Sequence, residues 1–371
     1  MAYALSMLWH DRARFFSAIL AVAFSNVLIC IQFGILFGMF SLTSIPIDNS
    51  RADVWMGSPG VVSVDVGRPI PDYYFARLAG QPEVIYAEPY ILGYTYWKKP
   101  SGGSELCIIV GSRLGEDSLG AVTQLTPQLR SRLTEPGAVV LSSRDQKKLG
   151  VTHIGQIVEI NGDRGRIVGL VDGMSGLQGP YVFCSLETAK QILNLPSGAV
   201  TYVLGKCRKQ SDVQTVVKRL ESYSDVEVMS SKSFSAHSQW HWLTKTKAGV
   251  ALSFAATLGL CVGAIVTRQS LYSATISMLK EYAVLRALGI PRWRMAANIL
   301  IIAFWVGFFG ILIALPIIFG LQQIADFINL PILMPWWLVT SGTALTWAVA
   351  LFAGFTTLHA LNQVEPMKLL R

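Results

Sequence analysis

The sequence predicts an α-helical membrane protein with four transmembrane helices plus an α+β extracytoplasmic domain held between the first two. Two observations carry this expectation: apolar residues gather in four long stretches, and basic residues gather at one set of their ends. The chain is 52% hydrophobic and 15% charged, whereas soluble domains average about 25% charged residues. The deficit is uneven, because residues 44–246 read like an ordinary soluble domain. A bilayer core about 30 Å thick needs roughly 20 apolar residues in a helix. Lipid offers an open backbone no hydrogen-bond partners, so runs of this kind fold as helices.

Four segments qualify: 15–43, 247–273, 295–321 and 337–361. The first could be mistaken for a secretory signal, since Arg12 and Arg14 precede it. Its apolar run exceeds the roughly 7–15 residues of a signal core, and no small-x-small cleavage site ends it. It reads as an uncleaved anchor. The chain then divides into an amphipathic N-terminal segment (1–14), the large domain (44–246), a loop with a short helix (274–294), a second loop (322–336) and a tail (362–371).

The net charge of +8 suggests nucleic acid only until it is divided along the chain. Nine basic residues (Arg12, Arg14, Arg268, Lys280, Arg286, Arg292, Arg294, Lys368 and Arg371) flank the helices on one side, against Asp11, Glu281 and Glu365. The 322–336 loop holds Asp326 and no Lys or Arg. Excess Lys and Arg mark the cytoplasmic side. Both termini and the 274–294 loop are therefore expected inside, with 44–246 and 322–336 outside. Trp336 and Trp337 fit the outer interface, where aromatic rings sit at headgroup level. Topology accounts for the basic residues, and no nucleic-acid partner is expected.

Within 44–246, alternating runs with β-branched residues predict strands at 60–66, 105–110, 138–141, 156–160, 165–171 and 181–184. Helical patterns fit 71–78, 143–149, 186–193 and 211–223, with Ser185 as a cap. The mixture predicts α+β, in two lobes. The flanks at 44–53 and 231–247 are expected to continue the first two membrane helices outward as stalks. Cys107, Cys184 and Cys207 are odd in number, and one disulfide among them is open but unsupported.

A search for chemistry is mostly negative. Gly198 to Lys206 is the nearest approach to a phosphate-binding loop, but Gly198 and Gly205 are too far apart and Cys207 replaces Ser/Thr. No metal site, nucleotide site or other directly bound cofactor is expected. His237 and His241, spaced i,i+4, could form half a metal site; an interfacial belt with polar tips is the preferred reading. Gly34 with Gly38, and Gly259 with Gly263, let helix backbones approach closely. Spacing alone leaves open whether they pack helices within one chain or form a dimer seam. Arg268 is close enough to the inner surface to snorkel.

The 274–294 loop carries the most specific signal. Met278, Tyr282 and Leu285 make one apolar face, Gly289 can stop the helix, and Pro291 can begin the next. Lys280-Glu281-Tyr282-Ala283-Val284-Leu285-Arg286-Ala287-Leu288-Gly289 resembles the coupling segment of FtsX/MacB-type ABC transporter permeases. Residues 136–169 resemble the MacB periplasmic core domain, and Val364-Glu365-Pro366-Met367-Lys368 resembles the family's closing element. Residues 9–34, with Ile31-Gln32-Phe33-Gly34, are most similar to the DevC-like subgroup of heterocyst glycolipid exporters. Arg268 departs from the uncharged end usual for the second helix.

The resemblance implies a non-catalytic permease, a homodimer in the bacterial inner membrane among membrane lipids. A cytoplasmic ABC ATPase using ATP and Mg would dock on 280–289. The chain begins 14 residues before its first span, so the ATPase is expected to be a separate polypeptide. The DevC-like comparison further implies a periplasmic adaptor (a membrane fusion protein) and a TolC-like outer-membrane channel. The implied function is mechanotransmission, in which ATP hydrolysis drives export of a lipid or amphiphile from the periplasm. The alternative is an FtsX-like signalling module regulating a periplasmic partner.

Overall fold

A computed structural model describes residues 12–276, 291–328 and 330–362. The chain forms two compact units, 1–38 with 250–371, and 39–249.

The first unit is helical. Its four long helices are α1 (Arg12–Ser41), and, after the second unit, α9 (Lys247–Ile276), α10 (Arg292–Phe327) and α11 (Trp336–Asn362). Each contains a span long and apolar enough to cross a membrane. The third helix starts before the expected 295 and runs past 321, so part of each flanking loop is helical. α1 is the most buried of the four: 44% of its apolar window is buried in the chain, against 39% for α10 and α11 and 22% for α9. Its small residues explain this position. Ala18, Val22, Ala23, Ser25, Asn26 and Cys30 are all buried. A Cβ on Gly310 would meet Val22 at 2.7 Å, and one on Gly342 would meet Cys30 Sγ at 2.7 Å. Small residues facing glycine bring α10 and α11 close to α1, where dispersion contacts replace a hydrophobic drive that lipid cannot supply.

Gly34 and Gly38 have a more specific task. The segment between α10 and α11 lies against them, with Leu333 N–H donating to Gly34 O at 3.0 Å. A Cβ on Gly38 would stand 2.0 Å from Pro331 O. No side chain fits there. Gly38→Ala is expected to cost about 1–3 kcal/mol by overpacking, read as a lower melting temperature of the full chain in nanodiscs. Unchanged melting would refute the close approach.

The second unit holds α2 (Ile45–Asp48), β1 (Val54–Gly57), a 3-10 turn (Val64–Val66), β2 (Ile70–Pro71), α3 (Tyr74–Ala79), β3 (Val84–Lys98) and β4 (Ser104–Ser112). It continues with α4 (Pro127–Leu133), β5 (Ala138–Ser142), α5 (Gln146–Leu149), β6 (Ile157–Ile160), β7 (Asp163–Val171), β8 (Tyr181–Ser185), α6 (Leu186–Ile192) and β9 (Ala199–Val200). It ends with β10 (Tyr202–Cys207), α7 (Val213–Leu220), β11 (Glu227–Ser230) and α8 (Ser231–Lys245). The α+β class matches the expectation from sequence.

Among the described residues the main sheet runs β11-β1-β10-β3-β4-β8-β5-β7-β6, and β6 pairs back onto β3 through Trp97↔Ile160. β3 to β6 thus close into a ring. One buried cluster, including Trp97, Cys107, Val139, Ile160, Ile167 and Val182, draws on every strand of that ring and fills it. The β11-β1-β10 ribbon forms the other lobe, whose core packs Val54, Met56 and Val203 against Leu78, Val216 and Leu220 of α3 and α7. The long strand β3 belongs to both lobes: Val84 to Tyr90 pairs with β10, and Ile91 to Lys98 with β4.

Three expectations require correction. Residues 60–66 are not a strand; Ser63 and Asp65 hydrogen-bond each other and hold a 3-10 turn. The 44–53 flank does not extend α1, which ends at Ser41; only Ile45–Asp48 is helical, and Pro46 cannot donate into a continuing helix. Cys107, Cys184 and Cys207 are all free and buried, which removes the open disulfide.

Candidate functional site

The stalk that leads to the second membrane helix is fastened to its domain by one face of α8. Ser230 caps it, accepting from Ser233 N–H at 3.2 Å. Phe234, Ser238 and Trp242 recur every four residues, so they share a face. Phe234 sits 5.7 Å from the ring centres of both Trp55 and Tyr202. Ser238 Oγ accepts from Val64 N–H at 3.1 Å. Trp242 Nε1–H donates to Ser63 Oγ at 3.2 Å and Asp65 Oδ1 at 3.4 Å.

Asp65 is the node of this junction. It is 4% exposed. Besides Trp242, it accepts from Ser63 Oγ, from Tyr94 Oη at 3.0 Å and from Gln178 Nε2. Tyr94 comes from β3, and Gln178 from the loop before β8. The neighbouring Val64 carbonyl accepts from Tyr202 Oη of β10 at 2.8 Å. One turn therefore joins α8 to both lobes. Burial first, and Asp65 second, push the Tyr94, Tyr181 and Tyr202 phenols well above their usual range. These phenols remain neutral.

Beyond Trp242 the helix stops. Thr246 is extended (φ −98°, ψ 148°). Its Oγ1 donates to Trp242 O at 2.6 Å and accepts from Gly249 N–H at 3.0 Å. A Cβ on Gly249 would lie 2.0 Å from Trp242 O. α8 and α9 thus meet at a tight break rather than in one continuous helix. The first stalk is tied to the same helix: Gln239 Nε2 donates to the buried Ser44 Oγ at 2.8 Å, and Ser44 donates to Asp48 at 2.6 Å.

In the helical unit, Ser25 Oγ donates to Gly263 O at 2.9 Å and accepts from Thr267 Oγ1 at 3.0 Å. Gly259 faces Gln32, and Gly263 faces Ser25 and Ile29. Gly34, Gly38, Gly259 and Gly263 therefore all meet groups of their own chain. The predicted coupling residues Lys280, Glu281, Tyr282, Leu285, Arg286, Ala287, Leu288 and Gly289 lie outside the described residues. Among the described residues no group of three or more His, Cys, Asp and Glu side chains could hold a metal. His237 and His241 lie on α8 and belong to no such group. An open cleft of about 1240 Å³, lined by Arg113, Thr134, Ser185, Lys190 and Asn194 among others, lies between the end of β4 and α6.

Comparison with known families decides the class. The MacB-like periplasmic core domain model matches residues 15–223, and the FtsX-like permease C-terminal model matches residues 253–366. The chain belongs to the FtsX/MacB-type ABC transporter permeases. The permease is 23% identical over 360 residues to two uncharacterized ABC transporter permeases of Mycobacterium tuberculosis, from strains CDC 1551 / Oshkosh and H37Rv. Those alignments cover 92% of this chain and 93% of each relative. Among solved structures it is similar to the periplasmic region of MacB from Actinobacillus actinomycetemcomitans, with TM-score 0.35 and 13% identity, covering 51% of this chain and 94% of that one. It is also similar to the extracellular domain of the noncanonic ABC-type transporter YknZ from Gram-positive bacteria, with TM-score 0.33 and 12% identity, covering 48% and 99%. An ABC transporter permease implies an ATPase partner.

The sequence of this permease gives little sign of the Asp65 junction. The one local signal is a carboxylate bracketed by Val64 and Val66 in an otherwise apolar run.

Proposed function

We propose that this permease is the mechanical link of an exporter. An ABC ATPase in a separate chain docks on 280–289, and its closure moves the membrane helices of a homodimer. The second stalk carries that movement to the extracytoplasmic domain, which pushes a lipid or amphiphile onward from outside the inner membrane. A periplasmic adaptor and a TolC-like outer-membrane channel receive it, as in DevC-like systems. The basic residues beside the helices support cytoplasmic termini.

The observation that carries this reading is the buried tie from Trp242 to Asp65, which gives α8 a grip on both lobes. Packed elements of this kind shift between discrete arrangements rather than deforming continuously. A charge exchange tests the docking end. With the cognate ATPase co-expressed, Glu281→Arg combined with Arg286→Glu is expected to abolish its co-purification and its stimulation. Full binding and stimulation in that variant would remove 280–289 from the coupling role. Recovery of the chain with a cell-wall hydrolase, and not with an adaptor, would favour the signalling alternative.

A further inference from the structure

We propose that Glu88 is a latch for the first stalk segment, residues 44–53, and that neutralising Glu88 tightens the latch. The inference rests on the reading of the extracytoplasmic domain as the driven part of an exporter. It concerns how firmly that domain holds the first of its two stalks.

Glu88 lies in the part of β3 that pairs with β10 and is 0% exposed. Its register neighbour on β10 is Leu204, whose neighbour on β1 is Trp55, so the carboxyl group shares a sheet face with Trp55 and Tyr90. Its Oε1 accepts from Ser118 Oγ at 3.0 Å and Gly120 N–H at 2.5 Å. Its Oε2 has no hydrogen-bond partner. Among the described residues no ion pair reaches it. The cations that face it are directed elsewhere: Arg113 donates to Tyr86 Oη at 3.2 Å, and Arg130 donates to Leu125 O at 2.9 Å and Gly115 O at 3.1 Å. Glu116 and Arg51 also face Arg130. The Tyr90 phenol, two residues along the strand, is raised by burial and by Glu88, and stays neutral.

The loop that Glu88 holds in turn holds the stalk. Leu119 O accepts from Arg51 N–H at 2.8 Å, and the Arg51 guanidinium donates to Glu116 O at 2.9 Å. Thr123 N–H donates to Asn49 O at 3.3 Å, and Gln124 Nε2 to Asn49 Oδ1 at 2.8 Å. Arg130 clamps both ends of the 115–125 loop, and Glu88 clamps its middle.

A buried carboxylate with one bare oxygen and no cation is costly. Burial raises the Glu88 carboxyl above its usual range, against the opposing pull of the nearby Gly120 and Leu119 backbone N–H groups and the Ser118 hydroxyl. The sign follows by linkage. An opened latch returns Glu88 to water and to an ordinary carboxyl, so the closed latch binds the proton more tightly. The extra stability is fully present below the ordinary value of about 4.3 and is lost as pH rises through the raised one. Neutral Glu88 still accepts from Gly120 and Ser118 through Oε1.

The test is hydrogen exchange of the full chain in nanodiscs, read over 45–53 and 115–125 at about pH 5 and about pH 8 and corrected for intrinsic rates. Exchange is expected to be slower at the acid end, by roughly threefold or more. Glu88→Gln, a neutral isostere, is expected to exchange slowly at both pH values and to melt higher than the natural chain. Tyr90→Phe is expected to keep the pH dependence. The proposal is overturned if the natural chain shows no pH dependence in these segments, or if Glu88→Gln retains that dependence or exchanges faster. Because the first of these outcomes needs only the natural chain, the proposal stays falsifiable even if a variant does not fold. No ATPase enters these readouts, so failure here and failure of the coupling tests are distinguishable.

Discussion

Asp65→Ala is expected to loosen the end of α8 from its domain in one step. Ser63 Oγ, Tyr94 Oη and Gln178 Nε2 donate to this carboxyl group, and alanine would leave these three buried or half-buried donors without that acceptor, while Trp242 Nε1–H keeps Ser63 Oγ. A buried donor left unpaired costs about 1–3 kcal/mol. With some relief from entering water, the total is roughly 3–5 kcal/mol, a large part of the 5–15 kcal/mol that domains typically possess. Thermal or denaturant unfolding of the full chain reads the loss, and hydrogen exchange over 231–245 localises it. Asp65→Asn keeps one acceptor oxygen and the shape, so a smaller loss of about 1–2 kcal/mol is expected. A change within about 0.5 kcal/mol for Asp65→Ala, the range of ordinary surface substitutions, would mean that the junction is not held at this residue.

The second large effect is expected at Gly249. A single methyl group there would stand 2.0 Å from Trp242 O and 2.6 Å from Leu243 O, and both are backbone atoms that cannot rotate away. Gly249→Ala therefore has to separate the end of α8 from the start of α9. The direct cost is that of overpacking, about 1–3 kcal/mol. On the proposed function the functional cost is expected to be larger, because the break would carry movement between the helix and the domain. In a reconstituted complex, ATP-dependent changes in exchange across the domain should largely disappear, while its melting temperature falls only by the few degrees that this cost implies. If the ATP-dependent changes persist in full, the break is not part of the transmission path.

The parts of the fold that were legible are those imposed by simple physics. Lipid fixes the length and apolarity of a spanning helix, so α1 and α9 to α11 stood out. The ring strands β4 to β8 alternate or carry β-branched runs, and Ser185 caps α6 as its sequence suggests. β1 was hidden because all four of its residues are buried, which removes alternation. β3 was hidden because one strand serves two lobes and contains Pro89, a residue that reads as a strand breaker. In the site, the marked glycines do sit at close approaches, yet their partners, such as Pro331 for Gly38, lie far along the chain. Asp65 could not be found because its donors come from positions 94, 178 and 242, which only the folded sheet brings together. Gly249 gave no signal, since a glycine at the start of an apolar run looks like any other.

The pairing of β1 has a consequence for how the protein is made. Trp55, in the first strand, pairs with Leu204 and with Met229, in the last two. Closing so long a loop carries an entropic cost and delays folding. On the proposed orientation, the ribosome must deliver everything up to β11 before the first strand can be enclosed, and α9 follows almost at once. The segment between the first two membrane helices therefore crosses as an unfolded chain, and insertion of the second helix coincides with closure of the sheet. A change that stalls translocation between those helices would strand β10 with an open edge, a template for aggregation rather than a smaller working protein.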